Sequence, residues 1–156
     1  MRKGFNLSVA TLFFAALPML SQTAQPAKVA SGPSGPNLYK RLGGYDAIAA
    51  VSDDFIASMA ADKKLARFLV GLSDNSKARL RQLVVDQLCN ATGGPCLYIG
   101  RDMKTAHKGL AITGSDWELA VKYLSASLDK FKVAQNEKDE LLAIASSLKA
   151  DIVEKP

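Results

Sequence analysis

The chain has 156 residues, a formal charge of +5 and a hydrophobic share of 48%. That length supports one small domain with a single modest core and excludes two. Acidic and basic residues alternate throughout, as on a solvated helical surface, so the mild basic excess gives no reason to expect a nucleic-acid partner.

Arg2 and Lys3 precede an apolar run from Phe5 to Leu20, followed by the small, polar segment SQTAQPAKVA. This order predicts a secretory signal peptide over 1–24, cut after Ala24, and hence export, with the periplasm as the expected location. The run falls short of a comfortable membrane span of about 20 residues. No stable membrane span is therefore expected after processing; an uncleaved N-terminal anchor is the alternative. Two basic and no acidic residues precede Ala24, so cleavage takes the charge from +5 to +3. Residues 25–36, QPAKVASGPSGP, read as a flexible leader, which leaves 37–153 as the folded domain.

Apolar residues recur there at three- and four-residue spacing, and no stretch alternates as a half-buried strand does, so the expected fold class is all-α. A short helix at Leu38–Leu42 ends at Gly43-Gly44. Asp46 is placed to cap a second helix bearing Ile48, Val51, Phe55, Ile56 and Met59. A helical turn with Leu65, Phe68 and Leu69 follows, then the loop SDNSK and a helix of about 77–90 with Leu80, Leu83, Val84 and Leu88 on one face. Two longer helices close the chain, about 115–131 and 136–152, the second with Asn136 as its expected cap. Between Gly93-Gly94-Pro95 and Trp117 the periodicity is poor, and a connection that long is usually functional or disordered.

Cys89 ends one helix and Cys96 follows the Gly-Gly-Pro turn, in a chain expected to be exported. A disulfide is the natural reading, with two free buried thiols as the alternative. Two sulfurs with a histidine eleven residues further on match no zinc spacing, and no Cys-x-x-Cys-His run offers covalent haem attachment.

His107 is the only histidine of the chain. On spacing alone it reads as a surface or partly buried histidine without a task. Its surroundings suggest another role: Met103, Leu110, Ile112 and Trp117 can line a planar apolar cofactor, and Tyr98, Arg101, Lys104 and Lys108 can meet carboxylates at its rim. A non-covalent haem needs those two kinds of wall and one neutral imidazole.

Three stretches carry a more specific likeness: LYKRLGGYDAIAAVSDDFIASMAADKKLARFLVG at 38–71, ATGGPCLYIGRDMKTAHKGLAIT at 91–113, and the closing helices to about 153. Two double glycines, the Tyr-x-Gly-x-x-Met-x-x-x-His spacing over 98–107 and the Gly-x-x-Ile-Thr that follows resemble the group I truncated haemoglobins. The likeness spans the mature domain and implies a globin-like sandwich of two helices over two around a haem b. It implies that His107 is the proximal iron ligand and that Phe55 and Phe68 wedge against the haem. Met103, Ile112 and Trp117 then lie along the cofactor, and Tyr98 with Arg101 or Lys104 reaches a propionate.

The opposite wall departs from the family pattern. Ile56 stands where the family often has tyrosine, and counting back from Gly93 places Leu80, Val84 and Leu88 against the ligand, so all four positions are apolar. A slip of register brings Gln82 or Gln87 inward instead. The implied function is reversible binding of diatomic gases (oxygen, nitric oxide, carbon monoxide), with weak oxygen retention because a donated hydrogen bond worth about 1.5–3 kcal/mol is missing. Two alternatives remain. One is a haem enzyme removing nitric oxide or peroxide with an electron-donating reductase, which this chain does not supply; the other is a haem-free helical module that binds a partner.

Overall fold

The computed structural model describes residues 36–155. The expected signal peptide, and the expected leader up to residue 35, lie outside the described residues. Seven α-helices follow in order: α1 (Leu38–Arg41), α2 (Gly44–Ala61), α3 (Asp74–Ala91), α4 (Met103–His107), α5 (Gly114–Lys130), α6 (Gln135–Ser147) and α7 (Lys149–Ile152), with a tight helical turn at Ala66–Phe68. Among the described residues no strand forms, and one isolated bridge pairs Thr113 with Lys155. None of these helices is long and apolar enough to cross a membrane.

Helix α2 packs against both α3 and α5, α6 against α5, and α4 against α7. The periodicity that predicts the helices also selects the core. Ile48 and Val51 of α2 join Val85 and Cys89 of α3, Leu124 and Leu128 of α5, and Leu141 of α6 in one buried cluster, with Leu38 and Leu42 beside them. Each fully buried side chain of this kind stabilises the fold by about 1.5–3 kcal/mol. Polar groups inside are satisfied: Ser52 Oγ donates to Ile48 O at 2.8 Å, and Ser127 Oγ to Asp54 at 2.8 Å.

Helix ends differ from the sequence expectation where the backbone supplies what a side chain was expected to supply. The cap of α2 is Gly43, with φ 96°, and Asp46 lies in the first turn. A left-handed glycine lets the chain pass from α1 into α2 without a loop, and Asp46 still complements the positive helix end. Helix α3 starts at Asp74 because the Ser73 side chain accepts the Ser76 amide at 3.2 Å, so most of the expected loop forms its first turn. Helix α6 starts after Ala134 with no side-chain cap, leaving Asn136 inside the helix. The closing helix breaks at Leu148, whose amide donates to Ala145 O at 3.0 Å in a tighter turn.

Cys89 and Cys96 are bridged, their Cα atoms 5.7 Å apart. The return of the chain at Gly94 is so close that a Cβ there would stand 2.6 Å from Cys89 Sγ and 2.5 Å from a ring carbon of Tyr39. Replacing both cysteines by alanine should lower the unfolding free energy by roughly 2–3 kcal/mol in urea denaturation, from the lost loop constraint, with helix content by circular dichroism unchanged.

Candidate functional site

A cavity of about 440 Å³ opens inside the helical sandwich, within the range of roughly 300–1,000 Å³ typical of small-molecule and cofactor sites. Its walls come from every helix except α1. Phe55, Ile56 and Met59 belong to α2, Leu80, Leu83, Val84, Gln87 and Leu88 to α3, and Met103, Ala106 and His107 to α4. Trp117, Ala120, Val121 and Leu124 of α5, with Phe68, Leu110, Ile112 and Ile152, complete most of the remainder. The helical spacing that gives α2 and α3 their apolar faces thus turns part of each face toward the cavity and part toward the core.

His107 is the last residue of α4, and its ring joins the cavity wall. Its Nδ1 lies 2.8 Å from Met103 O, one turn back. A carbonyl oxygen can only accept, so Nδ1 carries the proton and the neutral ring keeps its lone pair on Nε2. Among the described residues the one hydrogen bond of the His107 ring is that through Nδ1. The backbone therefore fixes both the tautomer and the ring angle, the arrangement that prepares an imidazole to ligate a metal.

The approach to α4 is equally determined by short contacts. Asp102 caps it, accepting the Thr105 amide at 2.8 Å, and that amide holds the Asp102 carboxyl below the usual carboxylate range. Tyr98 lays its ring over Gly100, where a Cβ would stand 2.3 Å from a ring carbon. Its hydroxyl donates to Arg101 O at 2.7 Å. Burial, with Asp102 nearby, pushes the Tyr98 hydroxyl above its ordinary pKa.

Of the residues singled out from sequence, Phe55, Phe68, Tyr98, Met103, His107, Ile112 and Trp117 line the cavity. Arg101 and Lys104 do not; both are exposed. Tyr98 lines the cavity while its hydroxyl donates its one proton to Arg101 O. Ile56, Leu80, Val84 and Leu88 all contribute to the wall, and Gln87 joins them without any slip of register. Gln82 faces elsewhere, donating to Tyr45 OH at 3.0 Å and to Asp86 at 2.9 Å.

Sequence reasoning overlooked a polar group beneath this wall. Asp116 is 4% exposed. Its carboxylate accepts from Thr113 N at 2.9 Å, from Thr113 Oγ1 at 2.7 Å and from Arg67 at 2.7 Å. The Arg67 guanidinium lies 4.4 Å from the centre of the Phe68 ring, so the carboxylate that caps α5 also steadies an aromatic of the cavity wall. The signal was present as the Thr-x-x-Asp spacing of a capping box at 113–116.

Apolar walls, one pre-oriented imidazole with a free lone pair and few other polar groups fit a haem. Helices enclosing such a slot define a haem-binding globin. A family model described as bacterial-like globin matches residues 37–154. A group 1 truncated haemoglobin of Mycolicibacterium paratuberculosis is 31% identical over 116 residues, 74% of this chain and 83% of that protein. Another, from Chlamydomonas moewusii, is 28% identical over 89% of this chain and 84% of its own length. Among solved structures, the truncated haemoglobin of Tetrahymena pyriformis superposes with a TM-score of 0.71 at 25% identity, over 77% of this chain and 100% of that one. The chain belongs to the bacterial-like globin family and, within it, to the group 1 truncated haemoglobins.

Burial alone would raise the Asp116 carboxyl, but the Thr113 hydrogen bonds and the Arg67 charge outweigh it and hold the group below its usual range. A depressed folded pKa contributes stability that is complete above about pH 4 and is lost as pH falls through the folded value. Asp116→Asn should therefore cost about 1.5–3 kcal/mol at pH 7 and show a shallower loss below pH 4 than the parent, both read from urea midpoints across pH.

Proposed function

We propose that this haem-binding globin holds its iron through His107 Nε2 and reversibly binds diatomic gases on the opposite side of the haem. The observation that carries the reading is the 2.8 Å contact between His107 Nδ1 and Met103 O, which leaves Nε2 as the unprotonated nitrogen of a ring that lines the cavity. The haem, when bound, supplies the gas-binding iron. Phe55, Phe68 and Trp117 supply flat apolar contact along its faces, and the surrounding leucines and valines exclude water.

Gas enters a space lined by Ile56, Leu80, Val84 and Leu88, with Gln87 as the one amide of that wall. None of the four apolar side chains can donate a hydrogen bond to oxygen, whereas carbon monoxide and nitric oxide depend less on such a donor. Oxygen is therefore released quickly unless the Gln87 amide donates to it, and fast release suits exchange rather than tight storage.

Two measurements test this. The purified protein loaded with haem should show a Soret band characteristic of a histidine ligand, and His107→Ala should lose that signature; an unchanged spectrum in the variant would remove the basis of the reading. Ile56→Tyr places a hydroxyl on the gas side and should slow oxygen release by about ten- to a hundredfold in stopped-flow experiments, with a much smaller effect on carbon monoxide. A parent protein already as slow as the variant would contradict the apolar-wall account.

A further inference from the structure

The backbone leaving His107 is held from the far end of the chain. Glu154 lies just past α7, and its carboxylate accepts two main-chain amides, Gly109 N–H on Oε1 and Ala111 N–H on Oε2, each at 2.6 Å. Next to it, Ile112 O accepts the amides of Glu154 at 2.9 Å and Lys155 at 3.1 Å, and the Gly114 amide donates to Lys155 O at 3.1 Å. The C-terminal segment is thus laced along the connection between α4 and α5.

What it holds does not hold itself. Helix α4 has only 5 residues, too few to be stable through its own hydrogen bonds. Ala111 has φ 54°, a left-handed conformation that a residue with a Cβ adopts only when its surroundings impose it. Both clamped amides lie beyond the end of α4, on either side of the Leu110 amide, which turns back to His107 O at 3.1 Å. Ile112 and Ile152, which flank the clamp on the two segments it joins, both line the cavity.

We infer that Glu154 is a positioning residue for the haem-facing imidazole: by gripping the amides of Gly109 and Ala111 it fixes the chain immediately after His107 and sets the ring's reach and angle toward the iron. The inference rests on the reading of His107 as iron ligand. Those two amides also hold the Glu154 carboxyl below its usual range, so it is a charged acceptor throughout the neutral region. Charge-assisted bonds of this kind are the stronger class of hydrogen bond.

The test uses the haem-loaded full chain as parent, Glu154→Ala, Glu154→Gln and His107→Ala, with Glu118→Gln as a surface control. Two properties are read: the iron–imidazole stretching band of the ferrous protein by resonance Raman, and the rate of haem transfer to excess apomyoglobin. Glu154→Ala should shift or broaden the band and transfer haem about tenfold faster. Glu154→Gln, which keeps one acceptor oxygen, should fall between it and the parent, and Glu118→Gln should match the parent. Should Glu154→Ala fail to fold, the isosteric glutamine variant carries the comparison. A lower melting temperature with the band and the transfer rate both unchanged would overturn the proposal, reducing Glu154 to a structural tie. Absence of an iron–imidazole band from the haem-loaded parent, whose only histidine is His107, would overturn the ligand assignment instead, so the two failures are distinguishable.

Discussion

An apolar space of about 440 Å³ is a severe demand on a domain this small. A cofactor that binds only the folded chain stabilises it by mass action, so haem binding and folding are linked equilibria. The buried cluster around Val85, Cys89 and Leu128 keeps the remainder of the sandwich closed beside that space.

Around the apolar slot the polar contacts are arranged to fix position, not to contact the ligand. Asp116 caps α5 and draws Arg67 over Phe68; Asp102 caps α4; Met103 O turns the His107 ring; Tyr98 closes its own loop on Arg101 O. The half-exposed surface pairs, such as Arg81 with Asp53 at 2.7 Å, contribute little by comparison, because solvent and salt screen them. Contacts within a turn or two of a wall residue, part-buried at Asp116 and His107, hold the geometry.

Much of this was legible in the sequence because hydrophobic spacing and glycine position act locally. The faces of α2, α3 and α5, the turn at Gly93-Gly94 and the isolation of His107 in an irregular segment follow from such signals. Helix starts were less legible. Gly43 takes the cap position that Asp46 was expected to hold, and Ala134 the one expected of Asn136, because tertiary packing decides where a helix begins once several residues could serve. The wall could not be divided into apolar and polar parts by counting alone: Gln87 and Val84 lie three positions apart, and both meet the cavity. Glu154 was invisible for a different reason. Its partners Gly109 and Ala111 are main-chain amides more than forty residues away in sequence, and no side-chain pattern records them.

The Cys89–Cys96 bridge gives the wall formed by α3 a direction. Helix ends are ordinarily the first parts of a protein to open, but the C-terminal end of α3 is tied covalently to the segment that leads to Tyr98. Its other end is capped by Ser73, next to a loop whose Val70 is 77% exposed. Opening of this wall should accordingly start at the Asp74 end and reach Cys89 last, with the Arg81–Asp53 pair at 2.7 Å as the tie beside Leu80.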